Sequence, residues 1–151
     1  MLIGLVSDTH GLVRPEIFEA LAGVDVILHA GDVGGSGVLD EIRVIAPVYA
    51  VYGNTDAPGS GLPEAVDLDL DGFSIHVSHG HELGSPTPEK LLARYPADVI
   101  VFGHTHKPLV ERARRLVVNP GAAGPRRFNL QPSVARMTIV RKQIDVKLVW
   151  L

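Results

Sequence analysis

The chain has 151 residues, of which 46% are hydrophobic and 21% charged, and this balance predicts one globular domain over residues 1–151 with a substantial core. Its formal net charge of −3 argues against duplex nucleic acid as a partner, because binding to a duplex requires a basic surface. The absence of cysteine excludes disulfides and thiolate metal sites, and the lack of a bilayer-length apolar stretch or a signal-peptide pattern predicts a cytoplasmic protein with no membrane partner.

The first third of the chain alternates apolar runs with amphipathic segments. Buried strands are predicted at residues 2–6, 25–32 and 47–54. Helices are predicted between them, at residues 14–23 and around residues 37–46. Strands that alternate with helices in this way form a parallel sheet that is covered on both faces.

The rest of the chain is mostly β-structure. Two alternating runs joined by Asp71 and Gly72 predict a hairpin, since Asp-Gly is a strong turn signal. Residues 87–95 predict a helix capped by Thr87, followed by a strand over residues 98–104. Two further hairpins and a long loop between them are predicted at residues 108–121, 134–151 and 120–132. The chain is therefore predicted to be an α/β protein with two sheets.

Polar side chains that can bind a metal ion collect just past the C-terminal ends of the predicted strands. They follow five different strands and are Asp8, His10, Asp32, Asn54, His79, His104 and His106. In an open sheet the C-terminal ends of parallel strands share one edge, where ligands bind. Several of these residues adjoin a glycine, which leaves room for a close approach of the backbone. The pattern predicts a metal site at that edge.

Structural roles are the alternative for single residues of this set. Asp8 and Asp32 are each consistent with a helix N-cap, and Asn54 is consistent with a turn. These roles do not explain why four histidines occupy matching strand ends. Two other histidines lie within strands. We expect His76 to face solvent or a subunit contact in a homo-oligomer. We expect His29 either to support the metal ligands or to be a hydrogen-bonded structural residue.

The ordered motifs "SDTHG", "AGD", "YGNTD", "SHGH" and "GHTH" resemble those of the calcineurin-like metallophosphoesterase superfamily, which run D-x-H, G-D, G-N, H-G and G-H-x-H. The small size and the "VVNPG" near the end are most similar to the compact YfcE-type phosphodiesterase branch, which also contains a retromer scaffold subunit. The resemblance implies a four-layer α/β/β/α sandwich with two mixed β-sheets and two divalent metal ions at one edge.

The resemblance also implies which residues bind the two ions. One ion would be held by Asp8, His10, Asp32 and His106. The other would be held by Asp32, Asn54, His79 and His104, so that Asp32 bridges the pair. Oxygen and imidazole ligands without sulfur are compatible with Mn²⁺, Zn²⁺, Fe, Co²⁺ or Ni²⁺. We expect Mn²⁺, because of the family resemblance and the oxygen-rich ligand set.

The activity that the resemblance implies is hydrolysis of a small phosphodiester, with nucleotides among the candidates, by in-line attack of a metal-bridging hydroxide. The expected catalytic residues are Asp32, Asn54, Thr55, His79 and His81. Thr55 stands where many relatives that cleave phosphomonoesters have a histidine proton donor, and this difference favours diesters. The alternatives are a phosphomonoesterase or dinucleoside-polyphosphate hydrolase with the same site, and a non-catalytic metal-binding scaffold.

Four further residues are candidates for supporting roles. Asp56 and Asn119 are expected to orient the metal ligands or the loops that carry them. Arg126 and Arg127 lie in the long loop, where they either reach a substrate phosphate or face solvent.

Overall fold

The computed structural model describes residues 1–151, which form ten strands and three short α-helices. The strands are β1 (Leu2–Val6), β2 (Val26–His29), β3 (Val48–Ala50), β4 (Ala65–Leu70), β5 (Phe73–Ser78), β6 (Val99–Val101), β7 (Leu109–Arg112), β8 (Leu116–Asn119), β9 (Ser133–Val140) and β10 (Gln143–Trp150). The helices are α1 (Glu16–Ala20), α2 (Ser36–Ile42) and α3 (Pro88–Arg94), and a 3-10 turn covers His81–Leu83. None of the helices is both long enough and apolar enough to cross a membrane.

The strands form two mixed sheets of five. The first sheet has the order β10-β9-β1-β2-β3. Strands β1, β2 and β3 are parallel, because α1 connects β1 to β2 and α2 connects β2 to β3. The second has the order β4-β5-β6-β8-β7, with a parallel centre and an antiparallel strand at each edge. The C-terminal ends of the parallel strands in both sheets carry the predicted metal ligands.

Three apolar layers hold the sheets and helices together. Side chains alternate along β1, so that Ile3 and Leu5 pack between the two sheets while Val6 packs under the first two helices. Helix α3 covers the outer face of the second sheet, where its Leu91 belongs to the same apolar cluster as Ile100 on β6 and Val117 on β8. The result is the four-layer α/β/β/α sandwich with two mixed sheets that was predicted.

Of two local signals in the sequence that predict helix ends, one is correct and the other lies past the actual end. The Oγ1 atom of Thr87 accepts a hydrogen bond from the backbone N–H of Lys90 at 3.2 Å, which caps α3 as predicted. Helix α1 is shorter than the segment 14–23 that predicted it, and ends at Ala20. Gly23 follows in a left-handed conformation with φ of 83°, so the predicted stop signal lies beyond the actual end.

His76 is buried, and the expectation that it faces solvent or a subunit contact is wrong. Its ring lies on the outer face of the second sheet, but only 4% of the residue is exposed. The ring of Tyr95, just after α3, stacks on it at 3.8 Å between centroids. The Nδ1–H of His76 donates to Asp67 on β4 at 2.8 Å. Strand periodicity identified the face of His76 correctly but could not show which side chain covers that face.

Candidate metal centre

The loops that follow β1, β2, β5 and β6 bring acidic and imidazole side chains together at one edge of the two sheets. The Oδ1 atom of Asp8 lies 3.3 Å from Nε2 of His106 and 3.6 Å from Nε2 of His10. The two imidazole Nε2 atoms are themselves 3.3 Å apart. Asp8, His10 and His106 thus form a group whose ligand atoms all lie within 4.8 Å of one another.

A second group consists of Asp8, Asp32 and His79, and it shares the carboxylate of Asp8 with the first group. The Oδ2 atom of Asp32 lies 3.2 Å from Nε2 of His79 on one side and 3.7 Å from Nε2 of His10 on the other. The Oδ1 atom accepts a hydrogen bond from the backbone N–H of Thr55 at 2.9 Å, which fixes the rotation of the carboxylate. Oδ2 of Asp32 therefore lies between His10 of the first group and His79 of the second.

Asn54 and His104 complete the set on the side of His79. The Oδ1 atom of Asn54 lies 3.1 Å from Nδ1 of His104, and the ring of His104 is 5.2 Å from the ring of His79. The backbone N–H of His104 donates to Oδ2 of Asp8 at 3.1 Å, which ties the two sides together. The structure thus brings all seven predicted ligands into one centre.

Strained backbone conformations concentrate at this centre. Five of the seven residues have positive φ angles, between 45° and 70°. These residues are Asp8, His10, Asp32, His104 and His106. A left-handed conformation costs a residue with a side chain roughly 1–2 kcal/mol, so the surrounding contacts must hold each of them in place. Such strain persists mainly where function requires a fixed geometry.

Three buried polar atoms of the candidate ligands have no hydrogen-bonding partner, namely Oδ1 of Asp8, Nε2 of His79 and Nδ1 of His106. Oδ2 of Asp8 accepts from the hydroxyl of Ser7 at 2.6 Å, but its Oδ1 receives no donor. Nδ1–H of His79 donates to the carbonyl of Ala30 at 2.7 Å, which leaves a lone pair on Nε2, also without a donor. These two acceptors face each other at 3.9 Å. Buried atoms that lack a partner are costly, and a divalent cation bound to both would satisfy them.

The two carboxylates at the centre are ionised at neutral pH. Burial would raise the pKa of Asp8, but the nearby imidazoles of His10 and His106 and the hydrogen bond from Ser7 hold that pKa well below its ordinary value. Burial would also raise the pKa of Asp32, but the nearby imidazole of His79 and the hydrogen bond from the backbone N–H of Thr55 lower that pKa to about 2. The centre therefore carries negative charge that divalent cations would neutralise.

Asp56 joins two of the loops that carry the candidate ligands. Its carboxylate accepts hydrogen bonds from the backbone N–H groups of Val33 at 3.2 Å, Gly34 at 3.0 Å and Gly53 at 2.8 Å. Val33 follows Asp32 in the sequence, and Gly53 precedes Asn54. Asp56 thus positions the ligand-bearing loops after β2 and β3 relative to each other, in agreement with its predicted supporting role.

Asn119 supports the loop that carries the last two histidines. Its Nδ2 donates to the carbonyl of Gly103 at 3.1 Å and to the hydroxyl of Thr105 at 3.0 Å. Its Oδ1 accepts from the backbone N–H of Gly121 at 2.9 Å. The side chain contacts no candidate ligand in these bonds, so it orients the loop rather than an imidazole.

His81 lies at the rim of the centre, on the side of His79. Its ring is 5.4 Å from the ring of His79, and 24% of its side chain is exposed. The neighbouring Glu82 is fixed by the hydroxyl of Tyr95, which donates to it at 2.7 Å, and by the backbone N–H of Gly80 at 2.9 Å. Burial and this bond raise the pKa of Tyr95 to about 12, so the phenol keeps its proton. The segment that carries His81 is therefore firmly held.

His29 is fully buried beneath the centre and is hydrogen-bonded, as expected. Its Nδ1 accepts from the backbone N–H of Gly31 at 3.1 Å, so its Nε2 carries the proton and donates to the hydroxyl of Thr9 at 3.0 Å. That hydroxyl in turn donates to the carbonyl of Val33 at 2.7 Å. Burial lowers the pKa of His29 to about 4, so the ring is neutral.

Acidification is expected to destabilise the metal-free protein through His29. In the unfolded chain His29 has a pKa near 6.5, whereas in the folded chain it binds a proton only near pH 4. The free energy of unfolding therefore falls as the pH drops between these values. The full effect amounts to about 3 kcal/mol, at about 1.4 kcal/mol per pKa unit. Urea unfolding at pH 7 and pH 4.5 should therefore show a smaller pH-dependent loss for His29→Asn than for the wild type. Equal losses would contradict the assignment.

A cleft of ≈ 640 Å³ opens beside Thr55, between the loop after β2 and the loop after β3. It is lined by Val33, Gly34, Gly35, Ser36, Leu39, Thr55, Asp56, Ala57, Gly59, Ser60 and Leu62. Thr55 itself is exposed, and its backbone N–H bonds to Asp32, so the cleft adjoins the Asn54 side of the centre.

The long loop borders the centre on the side of His106. Arg126 and Arg127 are exposed on it. Phe128, which the sequence did not single out, has its ring 6.0 Å from the ring of His106, at an interplanar angle of 73°. An isolated aromatic residue in a loop gives no pattern from which such a position can be predicted.

Residues 1–142 match the calcineurin-like phosphoesterase superfamily domain. The chain belongs to this superfamily. It is 34% identical to a probable metallophosphoesterase of Methanothermobacter thermautotrophicus over 99% of its own length and 92% of the relative's. It is also 29% identical to a phosphodiesterase of Methanocaldococcus jannaschii, over 80% of this chain and 83% of that protein. The superfamily resemblance predicted from the five motifs is thereby confirmed.

Solved structures agree with this assignment of the fold. The zinc complex of wild-type Vps29 from Entamoeba histolytica superposes with a TM-score of 0.79 at 26% identity, and the match covers 99% of each chain. The chain is thus a member of a superfamily of metal-dependent phosphoesterases, and it carries two candidate groups of metal ligands.

Proposed function

We propose that the protein is a dimetal phosphodiesterase that hydrolyses small phosphodiesters. The observation that supports this most strongly is the position of Asp32, whose Oδ2 lies between the imidazoles of His10 and His79. Two divalent cations about 3.5–4 Å apart repel each other strongly unless an anion is shared between them. The carboxylate of Asp32 is suited to that role.

Each ion would have four ligands from the chain. The first would be held by Asp8, His10, Asp32 and His106, and the second by Asp32, Asn54, His79 and His104. Mn²⁺ is our choice of metal, because the set combines carboxylate and amide oxygens with imidazoles and contains no sulfur. Zn²⁺, Fe, Co²⁺ and Ni²⁺ suit the same donors.

Such a metal pair, when bound, supplies Lewis-acid polarisation of the phosphoryl oxygens and ionisation of water near neutral pH. The chain's own groups position the reaction. Ser7 and the backbone of His104 hold Asp8, Ala30 holds His79, and Thr55 holds Asp32. The oxygen of water forms the new bond to phosphorus, the bond to one ester oxygen breaks, and that oxygen leaves with a proton as the alcohol. The other product is a phosphomonoester.

The side chains at the rim would contact the substrate. His81 and Thr55 both lie on the side of His79 and Asn54, where His81 can donate a hydrogen bond to a phosphate oxygen. Thr55 can donate through its hydroxyl but cannot deliver a proton as readily as an imidazole. This limits hydrolysis of esters with poor leaving groups and favours activated diesters.

Replacing Thr55 with histidine is expected to shift the preference towards monoesters. An imidazole at this position would supply a proton to the leaving oxygen, an effect typically of about 10²–10⁴-fold where the geometry is right. The measurement is kcat/KM of Thr55→His and wild type on p-nitrophenyl phosphate and bis(p-nitrophenyl) phosphate, with Thr55→Ser as the control. If the ratio of the two rates does not change, the leaving-group argument is wrong.

The proposed activity can be tested by removing and restoring the metal. The protein is stripped with a chelator, and Mn²⁺, Zn²⁺, Ni²⁺, Co²⁺ or Mg²⁺ is added back singly. We expect metal-dependent hydrolysis of bis(p-nitrophenyl) phosphate that exceeds hydrolysis of p-nitrophenyl phosphate. A preference for the monoester would favour a phosphomonoesterase. Metal binding with no hydrolysis of either ester would favour a non-catalytic scaffold, a possibility raised by the similarity to Vps29.

A further inference from the structure

Phe128 exposes an aromatic ring to solvent next to the proposed metal centre. It lies in the long loop between β8 and β9, and 76% of the residue is exposed. A phenylalanine side chain left in water forgoes the favourable free energy that its burial would contribute. Its φ of 56° is unusual for a bulky residue and adds to the cost of presenting the ring in this way.

The ring flanks one specific side of the centre. It stands edge-on to the ring of His106, whose Nε2 faces Oδ1 of Asp8 at 3.3 Å. The cleft beside Thr55 is lined by different segments, the loops after β2 and β3. A phosphodiester held at the centre has two ester groups, so one can extend towards the cleft while the other extends over Phe128.

The start of the loop is fixed to the strand that carries the first ligands. The backbone N–H groups of Ala123 and Gly124 donate to the carbonyls of Ser7 at 2.9 Å and Asp8 at 3.2 Å. The guanidinium of Arg14 donates to the carbonyl of Gly124 at 2.9 Å. Further along, the N–H of Leu130 closes a turn onto the carbonyl of Arg127 at 2.9 Å, with Phe128 inside that turn. The loop is therefore attached next to Asp8 a few residues before Phe128, and a local turn presents the ring.

We infer that Phe128 is a stacking platform for a flat aromatic ring on one ester group of the substrate. The inference rests on the proposed phosphodiesterase function, and it identifies the substrate class as aromatic phosphodiesters of the nucleotide type. A single exposed ring offers a face rather than a pocket, which suits a planar base better than an alkyl chain. The exposed Arg126 and Arg127 add positive charge on the same loop, where an anionic substrate would arrive.

The inference can be tested by measuring binding of two phosphate compounds that differ in the aromatic group. Thymidine 5′-monophosphate carries a base, whereas methyl phosphate does not. Dissociation constants are measured by calorimetry on the Mn²⁺-loaded protein. We expect Phe128→Ala to weaken the binding of thymidine 5′-monophosphate by roughly 5- to 100-fold, the range for loss of one stacked base. The affinity for methyl phosphate should stay within about twofold of the wild-type value.

Two control variants make the test specific. Phe128→Trp keeps an aromatic face and is expected to retain the affinity for thymidine 5′-monophosphate. Trp150→Ala removes another aromatic residue that is 54% exposed but lies on β10, away from the centre, and is expected to change neither affinity. Circular dichroism melting of each variant verifies that the fold is intact.

Three outcomes would overturn the inference. The first is an equal loss of affinity for both compounds in Phe128→Ala, which would mean that the residue supports the metal centre. The second is an unchanged affinity for both compounds, which would mean that the ring makes no contact with the base. The third is a wild-type protein that binds both compounds equally. The proposed function is tested separately by hydrolysis of methyl p-nitrophenyl phosphate, so an inactive protein with Phe128-dependent nucleotide binding would refute the diesterase and retain the platform.

Discussion

Asp32→Asn is expected to reduce phosphodiester hydrolysis by roughly 10³-fold or more. The substitution removes the anion that lies between His10 and His79, and it leaves an amide that cannot neutralise two cations. Every 1.4 kcal/mol of lost transition-state stabilisation lowers the rate about tenfold, and we expect the loss to amount to several kcal/mol. The measurement is kcat/KM on bis(p-nitrophenyl) phosphate at saturating Mn²⁺, together with the number of ions bound per chain.

The matched control for this variant is Asp69→Asn. Asp69 is an exposed carboxylate on β4, outside both ligand groups. Its replacement changes the net charge by the same amount and is expected to leave both the rate and the metal content unchanged. Full activity in Asp32→Asn would contradict the bridging role.

Gly103→Ala is expected to disrupt the centre although it replaces none of the candidate ligands. A Cβ atom at this position would overlap the hydroxyl of Ser7 and stand 2.6 Å from Oδ2 of Asp8. The carboxylate would have to move, and the hydrogen bond from Ser7 that orients it would be lost. We expect a fall in Mn²⁺ affinity and in kcat/KM of about 10²-fold or more, with about 1–3 kcal/mol lost from the free energy of unfolding.

Gly37→Ala provides the contrast, because a Cβ atom there meets nothing within 4 Å. Gly37 lies inside α2, where alanine is the better helix former by up to about 1 kcal/mol. This variant should be slightly more stable than the wild type and equally active. If the two glycine variants behave alike, crowding around Ser7 and Asp8 does not control the centre.

Features that depend on a few neighbouring residues were predictable from the sequence. Asp71 and Gly72 join β4 to β5, and Thr87 caps α3, because turns and caps use local chemistry. The convergence of the seven candidate ligands was also predictable. Strand ends in a parallel sheet meet at one edge regardless of how far apart they are in the sequence.

Features that depend on packing between distant segments could not be predicted in the same way. The alternation of side chains along β5 correctly assigns His76 to the outer face of the sheet, yet the residue is buried because the ring of Tyr95 stacks on it. Asp56 was expected to support the centre, but its three backbone donors come from two different loops. The place of Phe128 beside His106 likewise depends on how the long loop returns to β1.

The most direct test of the account is anomalous diffraction from crystals loaded with Mn²⁺. We predict two peaks of density about 3.5–4 Å apart, one on each side of Oδ2 of Asp32, with Asp8, His10 and His106 around one and Asn54, His79 and His104 around the other. A single peak, or two peaks that do not share Asp32, would contradict the proposed centre.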